Sequence, residues 1–176
     1  MKPPAAYHEL VRIHQSIALL SSTKSLLEWD EETTMPEGGA LHRSRQVAEL
    51  AGRIHQELVD PKVAELLAIV AESDLVRDAT GAPAVNVRHW KRQVDRTARL
   101  DRALVEETAA AVSLSQRVWV GARQADDYAT FLPHLTKVID LKRREARAIA
   151  SSEEREPWNA LLFDYCLLYT SDAADE

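Results

Sequence analysis

Cysteine, glycine and long apolar runs are all scarce in this 176-residue chain. Its single cysteine, Cys166, cannot form a disulfide within the chain or build a cysteine-rich zinc site, so the chain fits a reducing, cytoplasmic compartment. No stretch approaches the ~20 consecutive apolar residues that a membrane-spanning helix needs. Residues 1–4, MKPP, are followed by an amphipathic segment, so no signal peptide is visible. We therefore expect neither a disulfide-stabilised secreted domain nor a membrane protein.

Basic residues are also in the minority. The chain has 22 lysines and arginines against 28 aspartates and glutamates, a net charge of -6. Both signs are mixed along the sequence, and no basic run of the kind that neutralises phosphates is present. We expect no nucleic acid and no anionic membrane surface as a partner.

The last eleven residues differ from the rest. Residues 166–176, CLLYTSDAADE, do not continue the helical pattern before them and read as the translation of a transposon-end sequencing adapter. Such scars are excluded from fold reasoning. Without them the acidic residues fall from 28 to 25 against 22 basic ones, the net charge becomes about -3, and cysteine is absent. We predict that residues 1–165 are natural and that residues 166–176 are a non-native tail.

Apolar residues recur near the 3.6-residue period of a helix over almost the whole natural part, and no segment is convincing as a strand. The first helix is predicted over about 5–29 and the second from shortly after 39 to 59. Two further helices start near 61 and 83, one runs over about 101–124, and a last long helix either starts at Pro133 or contains it. One more element begins at 157. The sequence therefore predicts an all-α fold of antiparallel helices without flexible linkers or internal repeats.

Particular residues mark where these helices begin. Asp101 is suited to accept the free N–H groups of a first helical turn, and Asp60-Pro61 marks the restart of a third helix. Thr34 and Glu37 have the spacing of a capping box before the second helix. Pro133 either opens the last long helix or kinks it.

The most informative segment is residues 26–39, LLEWDEETTMPEGG, in which an apolar helix end is followed by a charged corner and a restart. With Arg43, Gln46 and His55 behind it, this segment resembles the N-terminal region of the carboxypeptidase Taq family of zinc-dependent metallocarboxypeptidases. Further stretches continue the resemblance in the family's order: residues 85–88, 103–107, 118–123, 127–135, 141–146 and 157–162. Their order and spacing make the resemblance specific, although Asp101 stands where the family pattern has a proline.

The resemblance implies a fold and a function for a longer protein. The family's fold is a single all-helical, gluzincin-like body with a deep groove, commonly paired as a homodimer. Its members remove C-terminal amino acids from peptides, with a divalent metal, usually zinc, that polarises the carbonyl and activates water. By this resemblance, residues 1–165 are the N-terminal helical part of one larger catalytic domain, and the metal ligands and catalytic residues lie downstream.

The histidine pattern agrees with that placement. A gluzincin site needs an H-E-x-x-H motif, because two histidines four apart on one helical face can bind the same metal. Only His8 followed by Glu9 begins this motif, and Arg12 stands where the second histidine is required. His14 is six positions from His8, which places it nearly opposite on a helix. We therefore assign no catalytic or metal-binding residue to this chain, leave the substrate-binding residues unknown, and expect no zinc on this fragment.

The acidic corner has three possible roles, and its members are Glu28, Asp30, Glu31 and Glu32. Four oxygen donors suit a hard cation such as Ca²⁺, but acids adjacent on a helix end point in different directions. The favoured interpretation is structural: Trp29 is a packing anchor, and one of the acids caps the next turn. In the third possible role, the acidic corner lines the substrate groove of the complete enzyme.

Other candidates also have a structural and a functional interpretation. Arg43 and Arg45 either form ion pairs with the corner acids, which we favour, or bind a substrate carboxylate. His55 is interpreted as a half-buried helical histidine. Three tryptophans are expected in the core and not in a stacking platform: Trp90, Trp119 and Trp158.

A non-catalytic helical scaffold or protein-interaction module is the alternative function. The gene sequence beyond Tyr165 distinguishes the two hypotheses. An H-E-x-x-H motif downstream supports the enzyme, and a stop codon just past Tyr165 supports the module.

Overall fold

The computed structural model describes residues 1–150 and 159–162, and the all-α prediction is confirmed, since these residues contain helices and no strand. Two 3₁₀ turns, Glu37–Gly39 and Asp74–Val76, interrupt the order of helices. The helices are α1 Pro3–Thr33, α2 Ala40–Leu58, α3 Pro61–Ala71, α4 Ala82–Thr97, α5 Arg102–Gln124, α6 Tyr128–Ile149 and α7 Asn159–Leu162. The first two residues of the element predicted from 157, and the tail at 166–176, lie outside the described residues.

The first helix is longer than the sequence predicts. It runs through the acidic corner to Thr33, and the Asp30 carbonyl still accepts from the N–H groups of Thr34 and Met35. The predicted capping box is wrong, because the Thr34 hydroxyl donates to the Asp30 side chain and α2 begins only after the 3₁₀ turn, with no side-chain cap. The late start of α2 agrees with the weakening effect of two glycines on a first turn.

The predicted cap at Asp101 is confirmed, and Asp60, where the sequence predicts only the restart of a helix, is a cap as well. The Asp60 carboxylate accepts from the Lys62 N–H at 2.8 Å, and the Asp101 carboxylate accepts from the Leu104 N–H at 2.8 Å. Each therefore satisfies an N–H group that has no partner within its helix.

Asp127 is a third cap, which the sequence analysis missed. It accepts from the Thr130 N–H at 3.1 Å, so α6 begins at Tyr128. Pro133 consequently does not open the helix but lies inside it, where the proline ring cannot supply the usual donor to the Ala129 carbonyl.

Helix α2 lies between α1 and α5, and α5 packs in turn against α6. On the other side, α1 packs against α3, and α3 against α4. Short connections force neighbouring helices to turn back on each other, as in a helical hairpin. The α5–α6 pair is also joined by charge, because Glu107 accepts from both Lys137 and Arg144, and these two donors lower the pKa of the Glu107 carboxyl.

The main apolar core lies where α1, α3 and α4 meet. Its buried members are Ala6, Leu10, Val63, Leu66, Leu67, Val70, Val87 and Val94. Trp90 packs against this core, as predicted, and stacks on the His14 ring with centroids 4.1 Å apart. Burial lowers the pKa of His14, whose Nδ1 donates to the Leu10 carbonyl at 3.0 Å. Among residues 1–150 and 159–162, no helix is both long and apolar enough to cross a lipid bilayer.

Two tryptophans that were predicted to be buried are exposed instead. Trp29 is 59% exposed and Trp119 is 44% exposed, so neither is a packing anchor within the described residues. Trp158 lies outside those residues. Helices α5 and α6 also carry several large apolar side chains that are exposed: Val112, Trp119, Val120, Tyr128, Leu132 and Ile139. The apolar pattern of α5 therefore does not all face the described core.

Gly52 lets α2 approach α5 closely. A Cβ atom at this position would lie 2.9 Å from Cγ and 2.8 Å from Cδ of Glu106, and against its Oε1. Glu106 is held by an ion pair with Arg102, so moving it aside would break that pair. The α2–α5 packing thus depends on the absence of a side chain at residue 52.

We predict that Gly52→Ala destabilises the chain by about 1–3 kcal/mol, because overpacking outweighs the gain in helix propensity. Gly121→Ala is the matched control, since a Cβ at this position in α5 meets no atom within 4 Å. The control variant should be more stable by about 0.5–1 kcal/mol. Urea titrations followed by far-ultraviolet circular dichroism measure both. Equal stabilisation by the two substitutions would contradict a close α2–α5 contact.

Candidate functional site

A groove of about 510 Å³, called here the central groove, lies between the end of α1 and α5. Ala51 of α2 also lines this groove. The other lining residues belong to α1, α5 and α6, apart from Leu100, which precedes Asp101, the N-cap of α5. Its α1 residues are Lys24, Glu28, Glu31 and Glu32; its other residues are Leu100, Leu104, Val105, Thr108, Ala109, Val112, Ser113, Gln116, Lys142 and Glu145. The central groove thus combines an apolar wall on α5 with an acidic wall on α1.

Arg43 of α2 fixes the acidic wall. Its guanidinium donates to the Asp30 carboxylate at 2.6 Å and to the Leu27 carbonyl, and its Nε donates to Gln46 at 3.1 Å. The Arg43 side chain is only 12% exposed. The predicted ion pair between Arg43 and the corner is therefore confirmed. Arg45, by contrast, is exposed and makes no ion pair with any described residue.

The corner acids diverge, as expected for residues on successive positions of a helix. Glu28 pairs with Lys24 at 2.5 Å, Asp30 pairs with Arg43, Glu31 is buried against α5, and Glu32 is exposed. Among residues 1–150 and 159–162, no group of three or more histidine, cysteine, aspartate or glutamate side chains is placed to hold a metal ion. Glu28, Glu31 and Glu32 line the central groove. The favoured interpretation that one of the acids caps the next turn is wrong, since neither the 3₁₀ turn nor α2 has a side-chain cap. The third role, lining the substrate groove of the complete enzyme, stays a prediction.

Glu31 is the most buried acid of the corner, at 6% exposed. The Ser113 hydroxyl of α5 lies 2.7 Å from Oε1 and 2.9 Å from Oε2 of Glu31. Sequence reasoning did not single out this contact, because its partners are 82 residues apart. The only local signal is that Ser113 stands two positions after an alanine run, on a helix whose other groove-facing positions are largely apolar.

The histidines that the sequence analysis weighed are not assembled into a site. His55 is 6% exposed, more buried than predicted, and its Nε2 donates to the Leu100 carbonyl at 2.8 Å. His14 packs in the α1–α3–α4 core, and His8 is exposed. The described residues therefore keep these side chains in structural roles.

Asp30 carries the perturbed carboxyl group of the corner. A hydrogen bond from the Thr34 hydroxyl, and then the Arg43 guanidinium, hold the pKa of Asp30 below its ordinary value. Because the pKa is lower when folded than when unfolded, the interaction stabilises the fold above the ordinary pKa. That stabilisation is lost as the pH falls through the lower, folded value.

We predict that Thr34→Val and Arg43→Leu each raise the pKa of Asp30 toward its ordinary value. The titration of the Asp30 carboxyl carbon by NMR measures the change directly. Arg45→Leu is the control, since it removes the same charge from the same helix without a contact to Asp30. An equal pKa of Asp30 in the Arg43→Leu and Arg45→Leu variants would contradict the contact between Arg43 and Asp30.

Comparison with known proteins agrees with the predicted resemblance. Residues 9–173 match the family model described as Carboxypeptidase Taq (M32) metallopeptidase. The chain is 38% identical to thermostable carboxypeptidase 1 of Thermus thermophilus over 149 residues, which are 85% of this chain and 29% of that protein. It is 31% identical to thermostable carboxypeptidase 1 of Pyrococcus furiosus over 160 residues, which are 88% of this chain and 30% of that protein.

The fold is also similar to a solved structure. The crystal structure of BsuCP aligns with a TM-score of 0.83 at 21% identity, over 90% of this chain and 31% of that one. At this identity the likeness shows the fold alone. The chain spans less than a third of the length of the relatives that it matches. On the match over residues 9–173, the chain belongs to the carboxypeptidase Taq (M32) family of metallopeptidases.

Proposed function

We propose that the complete polypeptide to which this chain belongs is a metal-dependent carboxypeptidase that removes C-terminal amino acids from peptides. The observation that supports this proposal is the family match, which extends over residues 9–173. Two carboxypeptidases, from Thermus thermophilus and Pyrococcus furiosus, are more than 30% identical to the chain over most of its length.

The metal is held by later residues in this proposal, and we propose zinc as its identity. The described residues do not fit a metal, since no group of three ligating side chains is present among them. The sequence itself has no pair of histidines separated by three residues with a glutamate after the first. Peptide hydrolysis is therefore not assigned to any residue of this chain.

This chain contributes outer helices and part of a groove wall. The central groove supports that role, because it opens between α1 and α5 and is lined by acids on one side and apolar residues on the other. Residues 1–165 are, in this proposal, part of a single larger catalytic domain. We propose residues 166–176 as a non-native tail on their adapter-like sequence alone, since the family match runs eight residues into them, to residue 173. We further propose that the complete enzyme is a cytoplasmic homodimer, as the family resemblance implies.

The proposal predicts different activities for the short and the long polypeptide. The 176-residue chain should release no C-terminal amino acid from N-blocked dipeptides, whereas the longer polypeptide encoded at the same locus should release it. The longer polypeptide should lose this activity with a chelator and regain it with zinc, because a bound metal would supply activated water for the hydrolysis.

Substrates with an amidated C-terminus serve as the control, since a carboxypeptidase requires a free carboxylate. Chelator-sensitive release by the 176-residue chain alone would place the chemistry within it and contradict the proposed division. A longer polypeptide without activity on any free-carboxylate peptide would contradict the proposed function.

A further inference from the structure

The Glu31 carboxylate has fewer hydrogen-bond donors than it can use. Its two oxygens offer about four lone-pair sites. The Ser113 hydroxyl lies within hydrogen-bond distance of both oxygens, yet a hydroxyl has one proton to donate. Most of the acceptor capacity of this side chain therefore remains unused, although the side chain is only 6% exposed.

Glu31 also has no positive partner among residues 1–150 and 159–162. The two lysines of the central groove are engaged elsewhere: Lys24 pairs with Glu28 at 2.5 Å, and Lys142 pairs with Glu145 at 2.7 Å. Buried carboxylates are normally paired or fully hydrogen-bonded, because removing the charge from water is costly. Among the described residues, Glu31 thus lacks the positively charged partner that a buried carboxylate normally has.

We propose that Glu31 and Ser113, called here the Glu31 notch, bind one organic cation, a guanidinium or primary ammonium group. Such a group has three to five N–H donors and can satisfy the carboxylate and a hydroxyl together. A bare divalent cation fits less well, because Ca²⁺ takes six to eight oxygen ligands and the notch offers one carboxylate and one hydroxyl.

The cation has two possible sources, and both depend on the proposed function. It is either a basic side chain from the part of the enzyme that this chain lacks, or a basic side chain of the peptide substrate. The chain spans less than a third of its relatives, so the first source has ample sequence from which to come. The groove opens to solvent in the 176-residue chain, so a free cation can be tested there directly.

The first experiment titrates agmatine, which carries both cationic groups, into the 176-residue chain while NMR follows the backbone amide signals of the residues that line the central groove. We expect saturable binding that Glu31→Gln weakens by about tenfold or more, since a charge-assisted hydrogen bond is lost. Glu32→Gln is the matched control: it removes the same charge from the exposed neighbour on the same wall and should weaken binding much less.

Equal agmatine affinity for Glu31→Gln and Glu32→Gln, or no saturable binding to the unsubstituted chain, overturns the proposal. Neither titration uses enzymatic activity, so this outcome is separate from a failure of the proposed function.

The second experiment uses the longer polypeptide and distinguishes the sources. If the enzyme supplies the cation, agmatine no longer binds, and Glu31→Gln lowers the melting temperature more than Glu32→Gln does. If the substrate supplies it, Glu31→Gln lowers kcat/KM for peptides with arginine or lysine by about tenfold and leaves neutral peptides little changed. Equal behaviour of Glu31→Gln and Glu32→Gln in both measurements overturns the proposal.

Discussion

The guanidinium of Arg43 is the contact on which the candidate site depends. It joins α2 to both a backbone carbonyl and a carboxylate in the last turns of α1, and it is largely shielded from water. A planar guanidinium with several fixed donors holds such a corner in one orientation, which a lysine would not do. Since Glu31 follows Asp30 directly, fixing Asp30 toward α2 leaves Glu31 on the side that faces Ser113 of α5. One arginine thus sets the orientation of the acidic wall.

Helix α2 supplies the second constraint, because it holds α1 and α5 at the distance that makes a groove between them. At Gly52 the two helices α2 and α5 approach until a Cβ would overlap Glu106. One residue earlier, the small side chain of Ala51 lines the central groove. Small residues on α2 therefore produce both the tight α2–α5 packing and the space above it, and the polar groups of α1 and α5 then meet across that space.

Features encoded locally were predictable from the sequence. Asp101 was recognised as a cap because a cap needs only a carboxylate a few residues before its N–H partner, and Asp60-Pro61 was recognised as the start of a helix. Asp127 carried the same local signal, and the proline at 133 drew the predicted start of α6 away from it. Burial was harder to predict, since it depends on what lies against a helix: Trp29 and Trp119 are exposed here although their patterns are typical of a core. The Glu31–Ser113 contact was beyond local pattern altogether, because only the tertiary fold brings these residues together.

These observations describe a family member whose first helices frame a groove without offering a metal centre among the described residues. The exposed apolar side chains of α5 and α6 and the unpaired buried carboxylate of Glu31 are both features of a surface that meets further groups. The most direct test of this account is equilibrium dialysis of the purified 176-residue chain against zinc at neutral pH, with the bound metal measured by mass spectrometry. The account predicts far less than one tightly bound zinc ion per chain. One zinc ion per chain, retained through dialysis against buffer, would contradict it.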